Sequence, residues 1–185
     1  MFLWTKTADL LYILDMKTNS HKYNEITVSM KYNYLILLVF MLPACQGDTL
    51  NWDKVNAEIQ QKFPDVKHIS IDELNAKDNK TILLIDVREE EEFAVSHIPG
   101  ALNLKNPKMI AKLAAQSRKD VVVYCSVGYR SAIMAKELNK LGITNVANLE
   151  GSIFVWANAG LPLVDQYGNT RKVHPYDEHW GQLLD

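Results

Sequence analysis

The chain has 185 residues, 48% of them hydrophobic, enough for one ordinary domain with its own core and some additional chain. A formal net charge of −2, with no Lys/Arg stripe or basic block, gives no reason to expect a nucleic-acid partner. Its two cysteines, Cys45 and Cys125, lie in unlike contexts and form neither a disulfide framework nor a CxxC knuckle, so no metal site and no cofactor is expected.

In chain order, residues 30–45 read as an export signal. Met30-Lys31-Tyr32-Asn33-Tyr34 leads into an apolar run over 35–42 and then into Pro43-Ala44-Cys45-Gln46-Gly47. A short charged region, a compact apolar stretch and a small residue before the cut are the parts of such a signal. The run is about half of the ~20 residues that a spanning helix needs. Leu42-Pro43-Ala44-Cys45 resembles a bacterial lipobox, although Pro43 is unusual within one. The resemblance implies a lipid anchor at Cys45 and a place in the bacterial cell envelope, facing the periplasm. A plain signal peptide, an uncleaved anchor and a buried core segment are the other readings. Met30 then becomes the natural start, and residues 1–29 an over-extended leader. A short disordered or amphipathic leader is the alternative.

Residues 46–66 form a linker and an N-terminal helix, with Trp52, Val55, Ile59 and Phe63 on one face and Pro64 ending it. Beyond it, strand and helix signals alternate. Strands are expected over 68–71, 81–87, 101–104, 121–124 and 146–149. Short helices are expected from Asp72, over 89–95, over 107–116, over 131–141 and over 153–159. The runs over 81–87 and 121–124 are almost continuously apolar, as strands covered on both faces should be. The helix over 131–141 places Met134, Leu138 and Leu141 on one side with Ala135 beside them, and Gly142 suits its end. The fold class is α/β: a small parallel sheet with helices on both faces, over residues 67–165. Residues 166–185 are a polar C-terminal extension carrying Tyr167, Tyr176 and Trp180, read as packed on the domain surface.

The chemistry concentrates in Cys125-Ser126-Val127-Gly128-Tyr129-Arg130-Ser131, which leaves a buried strand and enters a helix. Ligands of such sheets bind outside the carboxyl ends of the strands. The first amides of a helix lack intrahelical partners, and its dipole adds partial positive charge, so this loop favours an anionic sulfur. Gly128 permits backbone geometry that a side chain would obstruct. Arg130 offers a fixed cation and planar donors suited to an oxyanion, and no acidic residue between Val121 and Lys136 cancels it. The bland alternatives are a buried small hydrophobe for Cys125 and a solvated helix-start residue for Arg130. Val127 and Tyr129 read as pocket wall.

This loop resembles the active-site loop of the rhodanese (thiosulfate sulfurtransferase) family. Asp86-Val87-Arg88-Glu89 with Glu92-Phe93 resembles the family's DVR-x-x-x-E-F/W signature, and His97-Ile98-Pro99-Gly100-Ala101 its H-I-P-G-A segment. Asn148-Leu149-Glu150-Gly151, Trp156 and Gly160-Leu161-Pro162 resemble its closing L-x-G…W…G-x-P. The likeness covers roughly residues 68–164. Ser96 stands where glycine is usual and Ser152 where a second glycine often follows; both are expected to lie away from the cysteine loop. The resemblance implies a rhodanese-like domain in which Cys125 takes sulfur from a small anionic donor such as thiosulfate. The resulting persulfide would pass it to cyanide or a thiol. It also implies loop amides over 126–131 that hold the persulfide, with Arg130 on the departing sulfonate. Asp86, Arg88 and His97 are read as scaffold.

Two other classes are weighed against this. Dual-specificity phosphatases use C-x5-R, whereas Cys125 to Arg130 is C-x4-R, a smaller cradle that disfavours phosphatase or arsenate reductase chemistry. A non-enzymatic sulfide- or partner-binding module is the other, and the intact Cys125 speaks against it. His174 and His179 lack further ligands at persuasive spacing and are read as surface or packing residues. The acidic run 89–92 is read as a solvated helix start.

Overall fold

The structure, a computed structural model, describes residues 50–185. The leader, the export signal, the lipobox-like sequence and Cys45 fall outside the described residues. Among the described residues no helix is long and apolar enough to cross a membrane.

The first described element is helix α1 (Trp52–Lys62), capped by the Asn51 side chain, which accepts from the Lys54 amide. Its face Val55, Ile59 and Phe63 is buried, as the three-and-four spacing predicts. Five strands then form one parallel sheet: β1 (His68–Ile69), β2 (Ile82–Asp86), β3 (Leu102–Asn103), β4 (Asp120–Tyr124) and β5 (Val146–Leu149). Their order is β1-β5-β4-β2-β3. The crossovers carry α2 (Ile71–Asn75), α3 (Glu90–Val95), α4 (Pro107–Ser117) and α5 (Tyr129–Lys140), and α6 (Ser152–Asn158) follows β5. Central strand β4 shows why its sequence lacks alternation: Val121, Val122, Val123 and Tyr124 are all essentially unexposed.

Three details depart from the sequence reading. Ile71 belongs to α2, not to a strand. Ser70 accepts from the Glu73 amide while Glu73 reaches back to the Ser70 amide, and this capping box starts the helix early. Helix α5 begins at Tyr129, two residues before Ser131, and its buried face is Ser131, Ala132, Ala135 and Leu138. Leu141 ends that helix and is 45% exposed, while Gly142 takes the left-handed conformation just beyond it, at φ +86°.

The C-terminal extension is more than surface dressing. Strands β6 (Leu163–Asp165) and β7 (Gly168–Thr170) make an antiparallel hairpin, and β6 bridges to His97. A last short helix, α7 (Glu178–Gly181), precedes Leu183, which is buried. Asn158 holds this end of the chain, donating to the Leu183 carbonyl and accepting from the Asp185 amide.

The register fixes where function can sit. Asp86 pairs with Tyr124, and Val123 with Asn148, so the carboxyl ends of β2, β4 and β5 lie level. The loops that follow them, carrying Arg88, Cys125 and Ser152, therefore converge at one edge.

Candidate active site

Cys125 is 1% exposed, at the bottom of a cradle made by its own loop. The Gly128 amide donates to Cys125 Sγ at 3.2 Å, and the Ser131 hydroxyl at 3.5 Å. Gly128 is the N-cap of α5 at φ +109°, a conformation that side chains rarely adopt, and this turns its N–H inward onto the sulfur. The Gly128 carbonyl accepts from the Asn148 side chain at 3.0 Å and from the Ala132 amide.

Behind the sulfur, the loop is stitched to the start of α6. The Cys125 amide donates to Ser152 Oγ at 3.1 Å, and that hydroxyl donates to the Leu149 carbonyl. The Ile153 and Phe154 amides, unpaired within their own helix, donate to the Cys125 and Ser126 carbonyls at 3.2 Å each. Ser152 is thus part of the cysteine site, contrary to the expectation that it lies away from it. It sits at φ +50°, the left-handed conformation that explains why glycine suits this position, and its hydroxyl compensates for that strain. Ser96, the other departure, has φ −172°, ordinary extended backbone with no need of glycine.

On the outer side the loop meets α3. Arg130 Nη1 and Nη2 donate to Glu92 Oε2 and Oε1 at 2.7 Å each, and Nη2 also donates to Ser126 Oγ at 3.0 Å. The Ser126 hydroxyl in turn donates to Glu92 Oε1. Arg130 is therefore cancelled after all, by a carboxylate 38 residues away in sequence. The acidic run is not wholly solvated either: Glu89, Glu90 and Glu91 are exposed, but Glu92 is buried. Burial alone would raise the Glu92 pKa. The Arg130 hydrogen bonds, the Glu89 amide, the Arg130 charge and the Ser126 hydroxyl outweigh it, leaving the carboxyl at about 2. Burial likewise opposes the charge on Arg130, and Glu92 more than restores it, with the neighbouring Cys125 sulfur adding to the pull.

The remaining sequence-predicted residues lie around this core. Val127 is buried, and Tyr129 packs edge-on against Phe63 with ring centroids 5.4 Å apart and Lys62 Nζ 4.8 Å above its ring. Asp86 and Arg88 form a fully buried pair, Arg88 Nη2 reaching Asp86 Oδ2 and the Ser96 carbonyl at 2.7 Å each. This pair does not touch the cysteine loop. It anchors the end of α3, the helix that carries Glu92. His97 stacks on Phe93 at 3.7 Å, and its Nδ1 lies 3.1 Å from the Phe93 carbonyl. A groove of about 460 Å³ lined by Leu74, Ile82, Leu84, Ile98, Trp156 and Pro162 contains no residue of this loop.

Glu92, Asn148, Ser152 and Tyr176, whose ring lies over Arg130 at 4.7 Å, are site residues that local reading misses. Glu92 lies within a motif and Ser152 at a departure from one, but neither position announces a partner so distant in sequence.

The Rhodanese-like domain profile matches residues 70–159. A sulfurtransferase of Allochromatium vinosum is 37% identical over 92 residues, which cover 49% of this chain and 86% of that protein. The chain belongs to the rhodanese-like family. A second relative, the thiosulfate sulfurtransferase GlpE of Shewanella oneidensis, is 32% identical over 96 residues, covering 50% of this chain and 94% of that one. The crystal structure of a thiosulfate sulfurtransferase from Pseudomonas aeruginosa superposes with a TM-score of 0.51 at 22% identity, over 69% of this chain and 25% of that chain, and shows the shared fold. The family's relatives support sulfur transfer as the general chemistry of this domain.

Proposed function

We propose that the protein moves a sulfane sulfur from thiosulfate, or a related small anionic donor, to a thiophilic acceptor through a persulfide on Cys125. An electron pair of the Cys125 thiolate attacks the outer sulfur of thiosulfate. A new S–S bond forms, the old one breaks, and its electron pair leaves with sulfite. Cyanide or a thiol then attacks the outer persulfide sulfur, taking that sulfur and returning the thiolate. The observation that carries this reading is the Gly128 amide aimed at Cys125 Sγ at 3.2 Å, at the head of a three-turn helix in a C-x4-R loop. In such a site the turned-in amide and the helix dipole serve the developing anion. Because Glu92 and Ser126 occupy the Nη edge of Arg130, its part is to hold the loop rigid beside the sulfur rather than to stand free for the sulfonate.

Export and lipidation at Cys45 join the proposal on sequence grounds alone. Incorporation of labelled fatty acid in a bacterial host, lost in Cys45→Ser, checks them.

The main experiment incubates the full chain and its Cys125→Ser variant with thiosulfate, desalts them and weighs them intact. One added sulfur atom on wild type alone, removed by cyanide, is the expected result. An unchanged mass on wild type whose Cys125 still alkylates would exclude thiosulfate as the donor.

A further inference from the structure

The segment between β7 and α7 brings one strained aromatic, Tyr176, onto the cysteine loop at Arg130. Tyr176 has φ +66°, in the left-handed region that a bulky residue rarely enters. Such a residue persists only where its surroundings over-determine it. Here Pro175 precedes it, its amide donates to His174 Nδ1 at 3.0 Å, and Asp177 after it caps α7 by accepting from the Trp180 amide at 2.8 Å. The segment is tied at both ends, by the β6 bridge to His97 and by Leu183 with Asn158.

This strain holds the ring over Arg130, with the guanidinium carbon 4.7 Å from the ring centroid. A half-exposed contact of this kind returns less than a left-handed non-glycine residue costs. Net stability therefore does not account for the placement. Glu92 and Ser126 hold the Nη edge of Arg130, so the ring and guanidinium form one unit on the loop that carries Cys125. Tyr176 is 48% exposed, whereas Cys125 is 1% exposed.

We propose that Tyr176 is a specificity-determining wall of the site, narrowing the approach to Cys125 so that cyanide or a low-molecular-mass thiol passes while a thiol on another protein's surface is hindered. The inference rests on the sulfur-transfer reading for its substrates, but not for its geometry. The Tyr176→Asn variant removes the ring while keeping a residue tolerant of the left-handed turn, and Tyr176→Phe keeps the ring without its hydroxyl.

Each full-length protein is loaded with thiosulfate, and its persulfide is discharged by cyanide or by reduced thioredoxin. With Tyr176→Asn, discharge to thioredoxin should rise about fivefold, equivalent to about 1 kcal/mol of barrier, and discharge to cyanide less than about twofold. Tyr176→Phe should behave as wild type. In parallel, the Cys125-containing peptide is assayed for alkylation by iodoacetamide and by a bulky dye maleimide, which needs no sulfur loading. The maleimide-to-iodoacetamide ratio should rise in Tyr176→Asn alone. Unchanged ratios in both assays overturn the wall. Slower thioredoxin discharge in Tyr176→Asn also overturns it, by making the ring a docking anchor for a protein acceptor. If wild type takes up no sulfur, the donor reading fails and the alkylation ratio still decides the wall.

Discussion

The two sides of the cysteine loop are held by different forces. Toward β5 and α6 the contacts are hydrogen bonds to backbone: the Ile153 and Phe154 amides on loop carbonyls, Ser152 Oγ under the Cys125 amide, and the Asn148 side chain on the Gly128 carbonyl. Toward α3 and the tail they are side-chain contacts of a charged group: Arg130 with Glu92, Ser126 and the Tyr176 ring. Main-chain hydrogen bonds between neutral groups do not titrate, whereas a carboxylate–guanidinium pair does. The inner side therefore holds the loop of the sulfur without an ion pair. The outer side sets how the mouth is closed, and it can be altered by acid.

The largest effect should come from crowding the inner side. A Cβ at Gly151 would lie 2.1 Å from Val155 Cγ2, on a residue at φ +62°. Overpacking and the left-handed penalty together predict that Gly151→Ala loses about 2–5 kcal/mol. Urea unfolding measures it, and a midpoint equal to wild type would mean that α6 shifts freely and is not the rigid side.

Next comes the outer ion pair. Holding the Glu92 carboxyl at about 2 rather than 4.5 corresponds to about 3 kcal/mol favouring the ionised form in the folded protein. Because the folded pKa is depressed, this stability is fully present above about pH 4.5 and is lost as pH falls through about 2. Glu92→Gln should lower stability at neutral pH by about 2–3 kcal/mol and flatten the decline between those pH values. Parallel acid-unfolding curves for wild type and variant would remove Glu92 from this account.

Ser152→Ala should cost about 1–3 kcal/mol, because it leaves the buried Cys125 amide without its acceptor. Ser152→Gly loses the same acceptor but relieves the backbone at φ +50°, so its loss should be smaller. Equal unfolding midpoints for the two variants would show that strain at this residue is negligible. The smallest effect is expected at Lys62, which lies over the Tyr129 ring. Lys62→Gln should leave the unfolding midpoint unchanged. It should slow thiosulfate loading less than about twofold, with the difference vanishing in high salt, as surface steering of an anion requires.

The same contrast explains what could be read from the sequence. Strands β2 and β4 are legible because each is covered on both faces and so is written as an almost unbroken apolar run. Cys125, Gly128 and Arg130 were legible as a loop because helix-start chemistry is local. Ile71 was misread because a capping box between Ser70 and Glu73 outweighed a short apolar alternation. Glu92 was misjudged because its countercharge arrives through the alignment of β2 with β4, which no local window contains. Ser152 departs from the glycine usual at its position, but only the level ends of β4 and β5 show that its hydroxyl reaches the amide of the nucleophile.

The placement of α1 and the tail bears on how portable this domain is. The stretch that matches the shared profile ends at residues 70 and 159, yet the Tyr129 side chain rests on Phe63 and Lys62, and the Arg130 side chain on Tyr176. Both supports lie outside that stretch, one on each flank. Grafting the shared stretch alone into another protein would carry the nucleophile, its amides and the Arg130–Glu92 pair but strip Tyr129 and Arg130 of their aromatic contacts. The piece that could be exchanged between proteins without rewriting the entrance to the sulfur runs from Trp52 to Leu183.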